Sequence, residues 1–256
     1  MRLNIIPIAI IILSFLNSCS KNEVTDSPDS NNSNPVVVKK LTDVNLNAAI
    51  IYTYKGNKID KIQELGSEYY EQFTYSGDLI ILKETIYKTG PMDISQYTYQ
   101  DNRIKTIKQI RSNTFYDQYD FTYNSDGSVD TKSSEFLTKL VFDNMGNVIK
   151  KITNLVSTKI PTITTDYVYD KKINPFNNII GYNKIAGFER VINDDIDPLT
   201  PSINNIISST TRFSNSSNTN VMTYNYIYNN NNYPVSVSFT QTFLSGRPTI
   251  NLQYEY

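Results

Sequence analysis

The sequence predicts an all-β fold, an antiparallel meander of tandem β-hairpins that forms a curled or barrel-like sheet. Three observations predict it. Triplets with a large apolar side chain at each end recur along the chain, which holds 20 Tyr and 11 Phe among its 256 residues. Most triplets are followed by Gly, Asn or Asp, the residues that tight hairpin turns need. An aliphatic run then completes the unit, so each unit corresponds to one predicted hairpin.

The triplets set the spacing of the hairpins. They begin at Tyr52, Phe73, Tyr97, Phe121, Leu140, Tyr167, Tyr224 and Tyr254. Alternation at period two places both ends of a triplet on one face of a strand. The earlier starts are separated by roughly 20 to 27 residues, the length of two strands with their turns. The abundant tyrosines are therefore interpreted first as cross-strand pairs of a sheet, and only second as a ligand-binding surface.

The aliphatic halves of the units are less regular than the triplets. Ile59 and Ile62 lie three residues apart, as do Ile104, Ile107 and Ile110. A period of three alone would suggest a helix. The β-branched content and the flanking turns favour a strand, with a β-bulge that shifts which side chains face the core.

One stretch, residues 174–207, does not fit the hairpin pattern. It contains Pro175, Pro198 and Pro201 and no clear alternation. We expect an irregular excursion with one short helix, placed to form a cap or a local site. The acidic residues Asp194, Asp195 and Asp197 could bind calcium, but they lack the spacing and glycine of an EF-hand loop. A solvated acidic loop is the favoured interpretation, and no metal site is assigned.

The amino terminus predicts export and lipidation. Arg2 and a short apolar run predict a signal peptide over residues 1–18, because the run is too short to span a bilayer. Leu16-Asn17-Ser18-Cys19 then resembles the lipobox of bacterial lipoproteins, with Cys19 as the lipidated residue. Residues 19–35 are rich in Ser, Asn, Asp and Pro and predict a flexible tether. Residues 36–256 form a single repeat-built β domain.

Composition excludes several classes of chemistry. The chain has no His and one Cys, which removes His-based triads, His zinc sites and thiol catalysis. No phosphate-binding glycine loop is present, and no cofactor is expected. The 24 Lys and Arg balance 25 Asp and Glu, so there is no basic surface for nucleic acid. Carboxylate chemistry remains, but no two acidic residues can be shown to converge, and the chain is interpreted as a non-enzyme.

The repeated units resemble tyrosine-aspartate (YD, Rhs-type) repeats, in which tandem hairpins form one curling antiparallel sheet. The whole chain is similar to Bacteroidota lipoproteins of unknown function that combine a lipobox with degenerate YD-like hairpins. Asn174-Pro175-Phe176 after a strand is also a feature of that group. The resemblance implies a porin-like, barrel-shaped β fold. Ser20 after the cysteine implies the outer membrane, and Lys21-Asn22-Glu23 partly matches a surface-export signal.

Three functional hypotheses follow. The first is a non-enzymatic envelope lipoprotein that acts as a structural or binding module of unknown ligand. Its lipid attaches it to the membrane, and its further partner could be a glycan or an envelope protein. The second is a surface glycan-binding protein or carboxylate-dependent glycan hydrolase. The third is an integral barrel, which meets an objection because lipid-facing strands need a continuous apolar face. Charges interrupt both faces of the predicted strands at Lys55, Lys58, Asp60, Lys61, Lys105 and Lys108.

Overall fold

A computed structural model describes residues 36–88, 90–112, 114–157, 161–193, 197–217, 219–241 and 249–256. In these ranges the chain forms sixteen strands, one α-helix, α1 (Tyr182–Asn193), and one short 3-10 helix (Pro175–Asn178). The strands are β1 (Lys40–Asp43), β2 (Ala48–Lys55), β3 (Lys58–Glu64), β4 (Tyr69–Ser76), β5 (Leu79–Tyr87), β6 (Gly90–Gln100), β7 (Arg103–Arg111), β8 (Thr114–Tyr123), β9 (Val129–Lys132), β10 (Phe136–Phe142), β11 (Val148–Leu155), β12 (Pro161–Ile173), β13 (Asn204–Phe213), β14 (Thr219–Tyr228), β15 (Pro234–Gln241) and β16 (Ile250–Glu255).

The strands form a closed barrel. Each strand pairs antiparallel with the next one along the chain, and β1 pairs with β16 to close the sheet. In the closing pair Leu41 lies opposite Tyr254, and the N–H of Lys39 donates to the carbonyl of Glu255. The predicted all-β hairpin meander is therefore confirmed, and the curled sheet is a closed barrel. Because closure removes both edge strands, no described strand is left at an open edge of this sheet.

The repeated triplets occupy every even-numbered strand. Their first residues face the barrel interior and are buried; Tyr52, Phe73 and Tyr97 are each 4–6% exposed. The residues between the triplet ends, such as Thr53 and Thr74, face outward and are exposed. The hydrophobic core consists of these rings, aliphatic residues mostly of the odd-numbered strands, and Phe176, Ile179 and Ile185 from the segment between β12 and β13. The described core residues run from Val38 to Tyr254 and form one cluster.

β-Bulges explain the spacing of three in the aliphatic runs. Thr53 lies opposite Lys61 and Tyr54 opposite Ile59, which leaves Asp60 as an extra residue in β3. The extra residue places Ile59 and Ile62 on the same inward face. The β6–β7 pair has the same irregularity, with Lys105 as its extra residue. The predicted bulge is thus confirmed at Ile59/Ile62 and Ile104/Ile107.

Tight turns follow the triplets of β2, β4 and β6. Gly56 and Asn57 join β2 to β3 as a two-residue connection, and Gly56 has a φ of 63°. Asp101 and Asn102 make the same connection between β6 and β7, with φ values of 51° and 64°. Gly tolerates this left-handed conformation without strain, and Asn and Asp tolerate it better than other residues.

The second tyrosine of several triplets bonds to the preceding strand. The Tyr99 hydroxyl donates to the carbonyl of Ile80 at 2.6 Å, and Tyr123 donates to Ile104 at 3.0 Å. Ile80 and Ile104 are the residues immediately before a bulge, where regular strand pairing is interrupted. The same bond joins Tyr54 to Val38, Tyr169 to Val148 and Tyr256 to Pro234. We call these five bonds the tyrosine ladder; they satisfy carbonyls that the sheet leaves free.

Removing one hydroxyl of the tyrosine ladder should destabilise the barrel measurably. Tyr99→Phe keeps the ring but leaves the inward carbonyl of Ile80 without its donor, which should cost about 1–2 kcal/mol in the free energy of unfolding. Urea denaturation followed by tyrosine fluorescence measures the change. The control is Tyr116→Phe, because Tyr116 is 54% exposed and should tolerate loss of its hydroxyl. Equal stability of the two variants would contradict a structural role for the ladder.

Candidate functional site

A segment between β12 and β13, residues 174–203, closes one end of the barrel, and we call it the plug segment. It contains the 3-10 helix and α1, and β13 begins directly after it at Asn204. The sequence predicts an irregular excursion over residues 174–207 with one short helix; the structure has the 3-10 helix and α1 in this stretch, and its residues from Asn204 onward belong to β13. The 3-10 helix was not predicted, because four residues beginning at Pro175 leave little periodic signal.

Asn174, Pro175 and Phe176 fix the start of the plug segment. Asn174 is 1% exposed, and its side-chain oxygen accepts the N–H of Phe176 at 3.0 Å. Its side-chain nitrogen donates to the carbonyl of Thr200 at 2.9 Å and so joins the two ends of the segment. Pro175 suits the first helical position because no N–H is needed there. This local geometry directs the fully buried Phe176 between the rings of Tyr52 and Tyr254.

Helix α1 packs against the barrel wall through aromatic contacts. Tyr182 meets Phe73 edge to face with ring centroids 5.9 Å apart, and Phe188 meets Phe121 at 5.1 Å. Gly181 brings the start of α1 close to the β4–β5 turn. A Cβ at this position would lie only 2.7 Å from the carbonyl oxygen of Asp78. The plug segment therefore fills the interior at this end as a packed part of the core.

A charged network lies where α1 meets the barrel wall. Lys83 Nζ is 2.8 Å from Glu189 Oε2 and 3.5 Å from Glu71 Oε1, and the Tyr97 hydroxyl donates to Glu189 Oε1 at 2.5 Å. The side chains of Lys83 and Glu189 are 19% and 10% exposed. Burial alone would lower the pKa of Lys83, but the two carboxylates outweigh it and raise that pKa. Burial, and then the charge of Glu189, raises the pKa of Tyr97.

Sequence analysis did not identify this network, although one signal was present. In β3 and β7 the inward residue after the bulge is aliphatic, Ile62 and Ile107. In β5 the bulge residue is Ile81, and the equivalent inward residue is Lys83. A lysine at a core position of a repeat needs a carboxylate partner. Comparison of the repeats could therefore have revealed the buried lysine. It could not have identified Glu189 as its partner, because Glu189 is 106 residues away.

The other end of the barrel holds a cavity of about 530 Å³, which we call the mouth cavity. The described connections at this end are short turns. Seven aliphatic residues line the cavity: Leu41, Leu46, Ala48, Ile50, Ile62, Leu199 and Leu252. Leu199 belongs to the plug segment, which thus contributes to the lining. The acidic lining residues are Asp43, Glu64 and Glu71.

A second cavity of about 360 Å³ lies beside the first and shares Thr85 with it. Its charged lining residues are Lys83, Asp93 and Arg111. Arg111 Nε is 3.4 Å from Asp93 Oδ1, so part of this charge is internally paired. The barrel mouth therefore contains one mainly apolar cavity with acidic groups and one polar cavity with mixed charge.

The sequence singled out Cys19 for lipidation and Asp194, Asp195 and Asp197 as weak candidates for a metal. Cys19, the signal peptide and the tether, and also Asp194 and Asp195, lie outside the described residues, so lipidation stays a prediction and no metal site is assigned. Asp197 caps a turn: its carboxylate accepts the N–H of Leu199 and the hydroxyl of Thr200, both at 2.9 Å. In the described ranges no three His, Cys, Asp or Glu side chains form a group suited to a metal ion.

The outer face of the barrel carries ion pairs. Lys55 pairs with Asp60 at 2.8 Å, and Asp166 lies between Lys150 and Arg212. A lipid-facing strand needs an uninterrupted apolar face, and these ion pairs interrupt it at β2–β3 and at β11–β13. Separately, none of the described helices is long and apolar enough to cross a bilayer.

Comparison with known proteins gives similarity of fold. No family model matches the chain, and no curated protein matches it. A porin-like protein from Bacteroides vulgatus is similar with a TM-score of 0.47 and 15% identity, over 86% of this chain and 98% of the other. A porin-like protein from Bacteroides uniformis has a TM-score of 0.48 and 16% identity, over 86% and 97%. The resemblance to YD repeats has no support in these comparisons and stays a prediction.

Proposed function

We propose that the protein is a lipid-anchored, non-enzymatic binding module of the bacterial cell envelope that holds a small amphipathic molecule in its barrel mouth. The observation that supports this proposal is the asymmetry of the barrel. The plug segment fills one end, and the other end has a cavity of about 530 Å³. That volume lies in the range of small-molecule sites, which are mostly apolar with a few placed polar groups.

The anchor in this proposal is Cys19. The charged start, the short apolar run and the Leu16-to-Cys19 lipobox follow one another in the order that lipoprotein export uses. Each buried acyl methylene contributes about 0.8 kcal/mol, so two or three acyl chains would make the attachment effectively permanent. The resemblance to outer-membrane lipoproteins places the molecule, in this proposal, at the outer membrane.

The start of the described chain suggests how the barrel would be presented. The carbonyl of Val36 accepts the side-chain N–H of Asn178, which belongs to the plug segment. The chain therefore enters the barrel at the plugged end. In the proposal, a tether of about sixteen residues that extends to roughly 50 Å joins the lipid to the barrel.

The lining of the mouth cavity suits an amphipathic ligand. Its aliphatic side chains lie beside the carboxylates of Asp43, Glu64 and Glu71, so one ligand can contact both. Hydrocarbon gains about 25 cal/mol for each Å² removed from water. The sequence has no His, and its one Cys is the proposed site of lipidation, which is consistent with binding rather than catalysis.

Cys19→Ala should release the protein from the membrane fraction, because the variant has no thiol for acylation. Fractionation of cells followed by immunoblotting measures the change, and labelling with a radioactive fatty acid should be lost in parallel. Asn22→Ala, three residues further along, is the matched control and should stay with the membrane. Sedimentation of the Cys19→Ala protein with membranes would contradict the proposed anchor.

A further inference from the structure

The charges around the mouth cavity are unbalanced. Its described lining includes the carboxylates of Asp43, Glu64 and Glu71 and no Lys or Arg. The neighbouring polar cavity instead includes Lys83 and Arg111. Because the acidic groups lie beside aliphatic side chains, the mouth cavity offers negative charge and apolar contact to the same ligand.

The three carboxylates differ in the hydrogen bonds and ion pairs that they already make within the protein. Asp43 Oδ1 accepts the N–H groups of Asn45 and Leu46, so it fixes the β1–β2 turn. Glu71 Oε1 lies 3.5 Å from the ammonium group of Lys83. For Glu64, the described residues provide no ion pair or side-chain hydrogen bond. Glu64 is therefore the carboxylate in this lining that can take a new cationic partner without losing an existing one.

Glu64 also has the right neighbours for an amphipathic ligand. It lies opposite Ile50 in the β2–β3 pair, and Ile50 lies opposite Leu41 in the β1–β2 pair. All three side chains line the mouth cavity. Directly opposed residues on adjacent antiparallel strands have Cβ atoms about 5 Å apart. A group bound at Glu64 is thus within a few bond lengths of aliphatic surface.

We infer that the mouth cavity selects small organic cations, in which an ammonium or guanidinium group is attached to hydrocarbon. The inference rests on the proposed binding role and names the class of ligand. The cationic group pairs with Glu64, and the hydrocarbon contacts Ile50, Leu41 and Leu252, the last of which lies on β16 beside β1. Anions of the same length are repelled by the three carboxylates, so charge decides between ligands of equal apolar area.

Three probes of equal chain length separate charge from hydrocarbon: octylammonium, octanoate and 1-octanol. Isothermal titration at neutral pH and low salt uses residues 20–256, which include every described core residue. We expect octylammonium to bind about tenfold more tightly than octanoate, with 1-octanol between them. The preference should shrink at high salt, because the carboxylates lie near solvent and are screened.

The variant Glu64→Gln removes the charge and keeps the shape of the side chain. It should weaken octylammonium binding about threefold and leave 1-octanol binding unchanged. The control is Glu68→Gln in the same turn region, because Glu68 lies outside the cavity lining and 3.7 Å from Lys88. Circular dichroism and thermal unfolding should match the parent protein for both variants, since both residues are exposed.

The outcomes distinguish the inference from the proposed function. Equal binding of all three probes, or tighter binding of octanoate, would overturn the selection for cations while the binding role remained. Loss of octylammonium binding in Glu68→Gln but not in Glu64→Gln would also overturn it. Absence of binding by all three probes would overturn the inference together with the proposed binding role.

Discussion

Lys83→Met should destabilise the barrel by about 3–5 kcal/mol, one of the two largest effects we expect from a single substitution. Met fills nearly the same volume as Lys, so the change removes the charge rather than the packing. Glu189, which is 10% exposed, would then lie in the barrel without its 2.8 Å cationic partner. A buried carboxylate that loses its cationic partner destabilises the fold by several kcal/mol, or takes up a proton instead. Urea denaturation at neutral pH measures the loss.

A second substitution tests the cause. Adding Glu189→Gln removes the stranded charge and keeps an acceptor for the Tyr97 hydroxyl, so the double variant should recover more than about 1 kcal/mol. The surface control is Lys55→Met, because Lys55 is 78% exposed in its pair with Asp60 and should cost less than about 1 kcal/mol. Unchanged stability of Lys83→Met would show that the network is not required for the fold.

Much of the barrel wall could be predicted from the sequence because it repeats. The triplets that begin at Tyr52 and Tyr97, together with the few residues that follow them, predict the strand, the turn and which side chains face inward. The spacing of Ile59 and Ile62 even required a bulge, and the β2–β3 register contains it. Local sequence determines these features, since each depends on alternation, turn preference or one extra residue.

Closure of the sheet could not be predicted in the same way. Whether a meander closes depends on strand number, tilt and stagger taken together. These quantities cannot be derived from the sequence of a single hairpin. The closing contact joins Leu41 to Tyr254, residues at opposite ends of the chain. Nothing in the local sequence of either strand indicates that the two strands pair. The sequence therefore left open a choice between a curled sheet and a barrel.

The interior contacts of the plug segment were also beyond sequence analysis. Its irregular composition predicted a cap or local site, but its partners Phe73, Lys83 and Phe121 lie far away in sequence. The mouth cavity raises the same difficulty. It combines strand residues such as Leu41 and Leu252 with Leu199 of the plug segment, and only the closed barrel brings them together.

Phe176→Ala should cost about 3–5 kcal/mol of unfolding free energy and is the second large effect. The ring is fully buried, with its centroid 5.6 Å from that of Tyr52 and 6.4 Å from that of Tyr254. Removing it leaves a void between β2, β16 and the plug segment, which the barrel wall cannot fill without breaking strand pairs. Phe115→Ala is the matched control, since Phe115 is 57% exposed and should change stability by no more than about 0.5 kcal/mol.

The loss of unfolding free energy in Phe176→Ala also shows whether the plug segment is a separable gate or part of the core. Barrels of about sixteen strands can enclose a water-filled channel, whereas here aromatic side chains and the plug segment occupy the interior. If the barrel wall kept its stability without the Phe176 ring, the plug segment would be a separable gate. A loss of several kcal/mol in one cooperative transition would instead make it part of the core, because wall and plug would unfold together. Ligands would then enter and leave through the mouth cavity alone.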